Sequence, residues 1–301
     1  MEKITDLNGM LTTKYSQLRT RFDPDFRAMW ILFNQKNDIP CFNKVMLAEI
    51  YALQELIRKS NGYIDYDGRK EKIAYSIVGS ITPGIFNLGG QLGLFNQLIR
   101  NRDQQNLKHY AEACIDVIAQ RINHYEFDVV TISLIQGDAL GGGFEAALTS
   151  DVLIAERNCL MGFPEILFNL FPGMGAYSLV ARKIGTYLAE KIILGGKMYK
   201  AEELFEMGLV DVLADEGAGE QVLQDYLRKQ ERRSNGFQAI QRVRQRFNPV
   251  TYQELLDITE IWVESALKLT EKDLKIMDRL VRSQERHFIQ SQEVPQQLHA
   301  A

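Results

Sequence analysis

The chain has 301 residues and a formal net charge of −4, with 46% apolar and 25% charged residues. This composition is typical of a soluble globular protein with a sizeable core, and the acidic balance argues against a general nucleic-acid binder. The three scattered cysteines form no Cys-x-x-Cys pair, which argues against a zinc ribbon or a redox pair and favours a reducing, cytoplasmic setting. The four histidines lack metal-ligand spacing, so we expect no metal. The N-terminus does not resemble a signal peptide, and no apolar run is long enough to span a membrane.

In chain order, apolar runs alternate with stretches of helical periodicity. Residues 1–25 are polar and are interpreted as an N-terminal extension, helical in part. The apolar runs at 28–33, 73–78, 129–135 and 152–155 predict strands that are covered on both faces. Helices are predicted at 44–60, 91–125, 144–150 and 175–207, and again from 217 onward, with breaks near 235–236 and 248–249. This order predicts an α/β core over residues 26–215 and a helical C-terminal region over residues 216–301.

Three consecutive glycines, Gly141, Gly142 and Gly143, lie between the third predicted strand and the short predicted helix. Glycine lets a backbone approach a ligand closely, and free N–H groups at a helix start can bind a negative oxygen. The run therefore indicates a binding site for the oxyanion of an acyl intermediate. When the glycines are taken alone, a tight turn without chemistry is the more common explanation.

Glu145 follows the glycines, and Glu165 lies twenty residues further on among apolar neighbours. Apolar surroundings raise the pKa of a carboxyl group, which suits proton transfer near neutral pH. The pair therefore suggests an acid and a base on either side of a substrate. In isolation, Glu165 could instead stabilise a helix dipole, and Glu145 could lie on a solvated helix face.

Residues 131–185 contain Gly-x-Ala-x-Gly-Gly-Gly-x-Glu ending at Glu145, then Phe-Pro-Glu at 163–165 and Pro-Gly-x-Gly at 172–175. This order resembles the signature of the crotonase, or enoyl-CoA hydratase/isomerase, superfamily, and the resemblance extends over roughly residues 28–215. It implies the crotonase fold, an α/β fold of repeated ββα units with a helical C-terminal region. It also implies that Glu145 and Glu165 are catalytic and that the Gly142 N–H forms half of an oxyanion hole.

The resemblance assigns the second half of that hole to the segment 86–91, where we expect Leu88 or Gly89 to be the donor. This segment departs from the family pattern, because Gln91 replaces an acidic residue. Together with the Gly-Phe-Pro-Glu-Ile-Leu-Phe segment, it resembles the branch of bacterial diffusible signal factor synthases. That branch implies dehydration of a 3-hydroxyacyl chain on acyl carrier protein to a cis-2-enoyl thioester, followed by hydrolysis to a free fatty acid that serves as a quorum-sensing signal.

An acyl substrate needs an apolar pocket, and we expect Met174, Trp262, Leu280 and Leu140 to contribute to it. Trp262 belongs to a stripe of apolar residues at helical spacing between 255 and 269, which an ordinary core helix would also show. The basic residues between 228 and 246 are a candidate docking site for the anionic carrier protein, and a solvated helix face is the simpler interpretation.

The resemblance implies no cofactor beyond the phosphopantetheine that carries the substrate. It also implies a homo-oligomer, such as the trimer common in the family. Two other functions remain compatible with the sequence. The first is an enoyl-CoA hydratase or isomerase without thioesterase activity, and the second is a non-catalytic fatty-acyl binding protein.

Overall fold

The computed structural model describes residues 9–293, and its centre is a six-stranded sheet. The strand order is β1-β2-β5-β7-β9-β12, with β1 antiparallel to β2 and the remaining neighbours parallel. The strands are β1 Leu18–Asp23, β2 Ala28–Phe33, β5 Tyr75–Ser80, β7 Val130–Ile135, β9 Val152–Glu156 and β12 Val212–Ala214.

The central strand β7 is buried along its whole length, including its two polar residues Thr131 and Ser133. On one face, Ile132 and Leu134 pack in a cluster with Trp30 and with Leu223 of the C-terminal region. Ile135 belongs to the larger core on the other face. The strand is therefore covered on both faces, as predicted for the run at 129–135.

A second, four-stranded sheet runs in the order β11-β10-β8-β6 and carries the segments that matter for function. Its strands are β6 Ile85–Asn87, β8 Asp138–Leu140, β10 Leu160–Gly162 and β11 Met198–Lys200, and a separate hairpin is formed by β3 Tyr63–Tyr66 and β4 Arg69–Lys72. Strands β6 and β8 are parallel, as are β8 and β10. The ends of β6, β8 and β10 therefore lie together.

Helices cover both sheets and dominate the C-terminal region. They are α1 Lys44–Lys59, α2 Leu92–Arg100, α3 Gln104–Ile122, α4 Gly142–Leu148, α5 Ala176–Ile184, α6 Thr186–Gly195, α7 Ala201–Glu206, α8 Gly219–Glu231, α9 Ser234–Phe247, α10 Tyr252–Ala266 and α11 Glu271–Glu293. Among the C-terminal helices, α10 packs on α3 and α11 packs on α2. No helix within residues 9–293 is long and apolar enough to cross a membrane.

The predicted α/β fold with a helical C-terminal region is confirmed, and two local predictions are wrong. Leu18–Asp23, which we assigned to a partly helical extension, form an edge strand in register with β2. Residues 1–8 of that extension lie outside the described residues. The predicted helix break at 235–236 is also displaced, because α9 begins at Ser234 and includes Gly236.

Candidate active site

The glycine run connects β8 to α4 in a conformation that requires glycine at two positions. Gly141 has φ +51°, a left-handed backbone conformation that residues with a Cβ rarely adopt. A Cβ on Gly143 would collide with the carbonyl of Asn87, the last residue of β6. The glycines thus allow β8 and α4 to approach the neighbouring segment at 87–90.

Glu145 on α4 is buried, with 1% of its surface exposed, so it is not on a solvated helix face. Its Oε1 accepts hydrogen bonds from the Met174 N–H at 2.7 Å and the Ala176 N–H at 3.0 Å. These bonds fix the carboxylate from the segment that begins α5. Burial raises the pKa of Glu145 to about 7, and the two N–H donors oppose that shift.

Glu165 begins the 3₁₀ helix Glu165–Phe168 and lines the same cavity as Glu145. Its Oε1 contacts the position that a Cβ of Gly141 would occupy. Its Oε2 is buried and has no hydrogen-bond partner among the described residues. Burial, followed by the charge of Glu145, raises the pKa of Glu165 well above its usual value.

The loop after β6 corrects our expectation for the second oxyanion donor. The Leu88 N–H donates to the carbonyl of Pro40 at 2.7 Å, and the Gly89 N–H donates to Oδ1 of Asn87 at 2.8 Å. Neither N–H is free to bind a substrate oxygen. The next residue, Gly90, lines the cavity, and its N–H has no acceptor within the described part of the chain.

Gly142 and Gly90 therefore form the candidate oxyanion hole. A Cβ placed on Gly142 would lie 3.5 Å from the nitrogen of Gly90 and 2.9 Å from Sδ of Met174. The two glycines thus face one small space beside the glutamates. A side chain at position 142 would occupy this space. A substrate oxygen could then not enter it, which gives a reason for glycine at this position.

The cavity has a volume of about 50 Å³ and is mainly apolar. Of the predicted substrate-binding residues, Met174 and Trp262 line it, whereas Leu280 and Leu140 do not. Leu280 packs against the core from α11, and Leu140 pairs with Gly162 in the second sheet. The other lining residues are Gly90, Leu92, Phe95, Tyr110, Ala111, Cys114, Gly142, Glu145, Glu165, Phe168, Leu170 and Gly173.

Sequence reasoning missed Gly90 and the aromatic residues Phe95 and Tyr110. Phe95 packs edge-on against both Tyr110 and Trp262, with ring centroids 4.9 and 5.3 Å away. The Gly89-Gly90 pair was visible in the sequence, but only the hydrogen bonds show which N–H is free. The two aromatic residues belong to helices with ordinary core spacing, so no local pattern marks them.

The predicted basic docking patch belongs to a different part of the surface. Arg244 of α9 and Thr149 line one groove, and Thr149 follows the C-terminal end of α4. The candidate active-site cavity is instead lined by Gly142 and Glu145 of this helix, and none of the basic residues between 228 and 246 lines it. Within residues 9–293, no group of three or more His, Cys, Asp or Glu side chains could hold a metal ion.

The enoyl-CoA hydratase/isomerase family matches residues 69–267, more than half of the chain. The chain belongs to this family. Its crotonase fold also agrees with solved structures. An enoyl-CoA hydratase from Bacillus halodurans superposes with a TM-score of 0.71 at 21% identity, covering 88% of this chain and 100% of that one. DspI from Pseudomonas aeruginosa gives a TM-score of 0.60 at 20% identity, covering 92% and 89%.

Among curated relatives of this crotonase-family chain, the putative enoyl-CoA hydratase/isomerase YhaR of Bacillus subtilis is 32% identical over 181 residues. That match covers 60% of this chain and 64% of YhaR. The human mitochondrial enoyl-CoA hydratase domain-containing protein 2 is 26% identical over 200 residues, covering 65% and 61%. The chain therefore spans less than two thirds of the length of these relatives.

Proposed function

We propose that the chain is a dehydratase for 3-hydroxyacyl thioesters carried on acyl carrier protein, and that it then hydrolyses the enoyl thioester to release a 2-unsaturated fatty acid signal of the diffusible signal factor type. The observation that carries the proposal is the joint position of Glu145 and Glu165 on one cavity, beside the N–H groups of Gly90 and Gly142. This arrangement provides an acid, a base and an oxyanion site together.

The two carboxyl groups have different proton affinities, which divides the roles in dehydration. Glu145, with a pKa of about 7, is ionised in part of the population and removes the α-proton. The hole formed by Gly90 and Gly142 binds the enolate oxygen that results. Glu165 holds a proton on a carboxyl group without a fixed partner and transfers it to the departing 3-hydroxyl, which leaves as water.

Hydrolysis of the thioester reuses the same groups. After dehydration Glu145 holds the α-proton and Glu165 is ionised, so Glu165 deprotonates the water that adds to the thioester carbonyl, and Glu145 holds the proton for the departing thiolate. The oxyanion occupies the hole between Gly90 and Gly142. Collapse of the tetrahedral intermediate breaks the carbon–sulfur bond, and the thiolate takes up a proton. The products are the free acid and the carrier thiol.

The departure at Gln91 is what favours this branch over a plain hydratase. Gln91 precedes α2 and donates its backbone N–H to the hydroxyl of Tyr110 at 3.3 Å. The acidic residue of the family pattern is absent at this position, and the loop is held by the Tyr110 hydroxyl, which accepts the backbone N–H of Gln91. An enoyl-CoA hydratase or isomerase uses the same two glutamates and remains the second candidate, since the family match supports it directly.

A substrate comparison tests the proposal. Purified protein is incubated with matched 3-hydroxyacyl-CoA and 3-hydroxyacyl carrier protein of several chain lengths, and the products are separated by mass spectrometry. We expect free 2-enoic acid from the carrier-protein substrate. Accumulation of enoyl thioester without free acid would assign the chain to the hydratase alternative. Absence of turnover on every thioester would favour the acyl-binding alternative.

A further inference from the structure

Helix α11 reaches the oxyanion loop through one side chain. Nε2 of Gln284 donates a hydrogen bond of 2.8 Å to the carbonyl of Leu88, 196 residues away in sequence. We infer that Gln284 is a positioning residue that keeps the N–H of Gly90 directed at the cavity. The inference rests on the proposed function, because it assumes that this N–H binds the substrate oxygen.

The peptide between Leu88 and Gly89 is held at both of its polar ends. Gln284 binds its carbonyl, and the side chain of Asn87 accepts its N–H at 2.8 Å. A peptide unit is planar, so two opposed hydrogen bonds fix its orientation. This restraint matters because Gly89 has φ +92°, and glycine by itself imposes little steric restriction on the loop.

The next peptide carries the N–H that faces the cavity. The carbonyl of Gly89 accepts a hydrogen bond from the Phe42 N–H at 2.8 Å. In a trans peptide, the carbonyl and the following N–H point in opposite directions, so this bond directs the N–H of Gly90 away from Phe42. Loss of the Gln284 bond leaves the preceding peptide held by Asn87 alone, so its orientation is less restricted and the direction of the Gly90 N–H varies more.

Helix α11 is fixed to the body of the protein by contacts other than Gln284. The side chain of Gln284 can therefore hold the carbonyl of Leu88 in a defined position. Arg100 forms ion pairs with Glu271 and Asp278, and Nδ2 of Asn96 donates to the carbonyl of Leu274 at 3.0 Å. These contacts hold the first half of the helix without any contribution from Gln284. Replacing Gln284 should therefore change the loop and leave the docking of α11 intact.

The matched pair of variants is Gln284→Leu and Gln290→Leu. Gln290 lies on the same helix but is exposed, so it controls for the loss of a glutamine from α11. Removing an oxyanion donor outright lowers kcat by about 10²–10³-fold, and we expect the displaced Gly90 N–H in Gln284→Leu to lower kcat by roughly 10-fold. KM should stay within about twofold, because the hole binds the transition state more strongly than the substrate.

A third variant, Gln284→Glu, keeps the shape of the side chain but replaces the donor with an acceptor. It should lose kcat at least as much as Gln284→Leu, and Gln290→Leu should match the wild type. The inference is overturned if Gln284→Leu keeps its kcat. It is equally overturned if kcat falls only together with a raised KM and a lowered Tm, since that pattern reports misdocking of α11.

Amide hydrogen exchange separates this inference from the proposed function. If the wild type turns over no thioester, the proposed function fails, but the effect of Gln284 on the loop remains measurable. Exchange at residues 88–90 should be faster in Gln284→Leu than in Gln290→Leu. Equal exchange in the two variants would contradict the positioning role independently of activity.

Discussion

The backbone nitrogen of Met174 lies 2.7 Å from Oε1 of Glu145, and this hydrogen bond joins the segment before α5 to helix α4. Because the Ala176 N–H binds the same oxygen, one side of the carboxyl group is fully occupied. The other oxygen remains for the substrate. The same contact places the side chain of Met174 against Gly142, so Glu145, Gly142 and this wall of the cavity have a fixed mutual arrangement.

Replacing either glutamate should abolish most of the activity without unfolding the protein. Glu145→Gln and Glu165→Gln should each lower the rate of free-acid release by about 10²–10⁴-fold, the usual contribution of a positioned acid or base. Glu190→Gln is the surface control, since Glu190 accepts a hydrogen bond only from the exposed Tyr177 hydroxyl. Rates are followed by mass spectrometry of the product. Near-wild-type release by the double variant would refute the assignment.

The rate should depend on pH through Glu145. Because the base acts as the carboxylate and its pKa is about 7, kcat/KM should rise with pH and level off above about pH 7. Glu165 acts in its protonated form, so kcat/KM should fall again only when the pH exceeds the raised pKa of Glu165. A pH–rate profile between pH 5 and about 9 tests this order. An activity that falls between pH 5 and 7 would reverse the assigned roles.

Stability should show the opposite pH dependence. The folded pKa of Glu145 is raised above its unfolded value of about 4.5, so the folded state binds more protons between these values. The free energy of unfolding should therefore fall as pH rises from about 4.5 to about 7. Urea unfolding of wild type and Glu145→Gln measures this contribution. The variant should gain stability relative to wild type as pH increases, and parallel curves would contradict the buried ionisation.

Adding a methyl group at Gly142 should block the oxyanion hole. A Cβ there would lie 2.9 Å from the flexible end of Met174, which can shift, so the fold should survive. We expect Gly142→Ala to lower kcat by about 10²–10³-fold, as for loss of an oxyanion donor. The control is Gly93→Ala on α2, where a Cβ meets no atom within 4 Å and activity should be unchanged. Equal activity of both variants would exclude the proposed hole.

The acyl-chain preference should depend on Trp262. A cavity of about 50 Å³ holds little more than one water molecule, so an acyl tail must displace side chains such as those of Met174 and Trp262. Trp262→Phe keeps an aromatic ring against Phe95 while it removes volume, and it should shift the preference to longer chains. Trp30→Phe in the opposite core is the control. The test is the distribution of product chain lengths that each variant forms from a mixture of acyl substrates. Identical distributions for wild type and Trp262→Phe would exclude Trp262 from the pocket.

The sequence by itself determined the fold class, the family and the two glutamates. Strands buried on both faces appear as mainly apolar runs, and the glycine run with its following glutamate is a local motif, so both are visible in a linear pattern. Edge strand β1 was not visible, because its pairing with β2 depends on a tertiary neighbour and its own residues are largely polar. The short strands of the second sheet, three residues each, are likewise below the length at which periodicity is informative.

Only the tertiary structure decided which N–H groups are free and which side chains reach the cavity. Leu88, Gly89 and Gly90 are equivalent donors in the sequence, and the distinction between them comes from Pro40 and Asn87, which occupy the first two. Leu280 and Trp262 both lie on amphipathic C-terminal helices, but only Trp262 faces the glutamates. Hydrogen-bond competition and helix docking join residues far apart in the chain, so no local pattern encodes them.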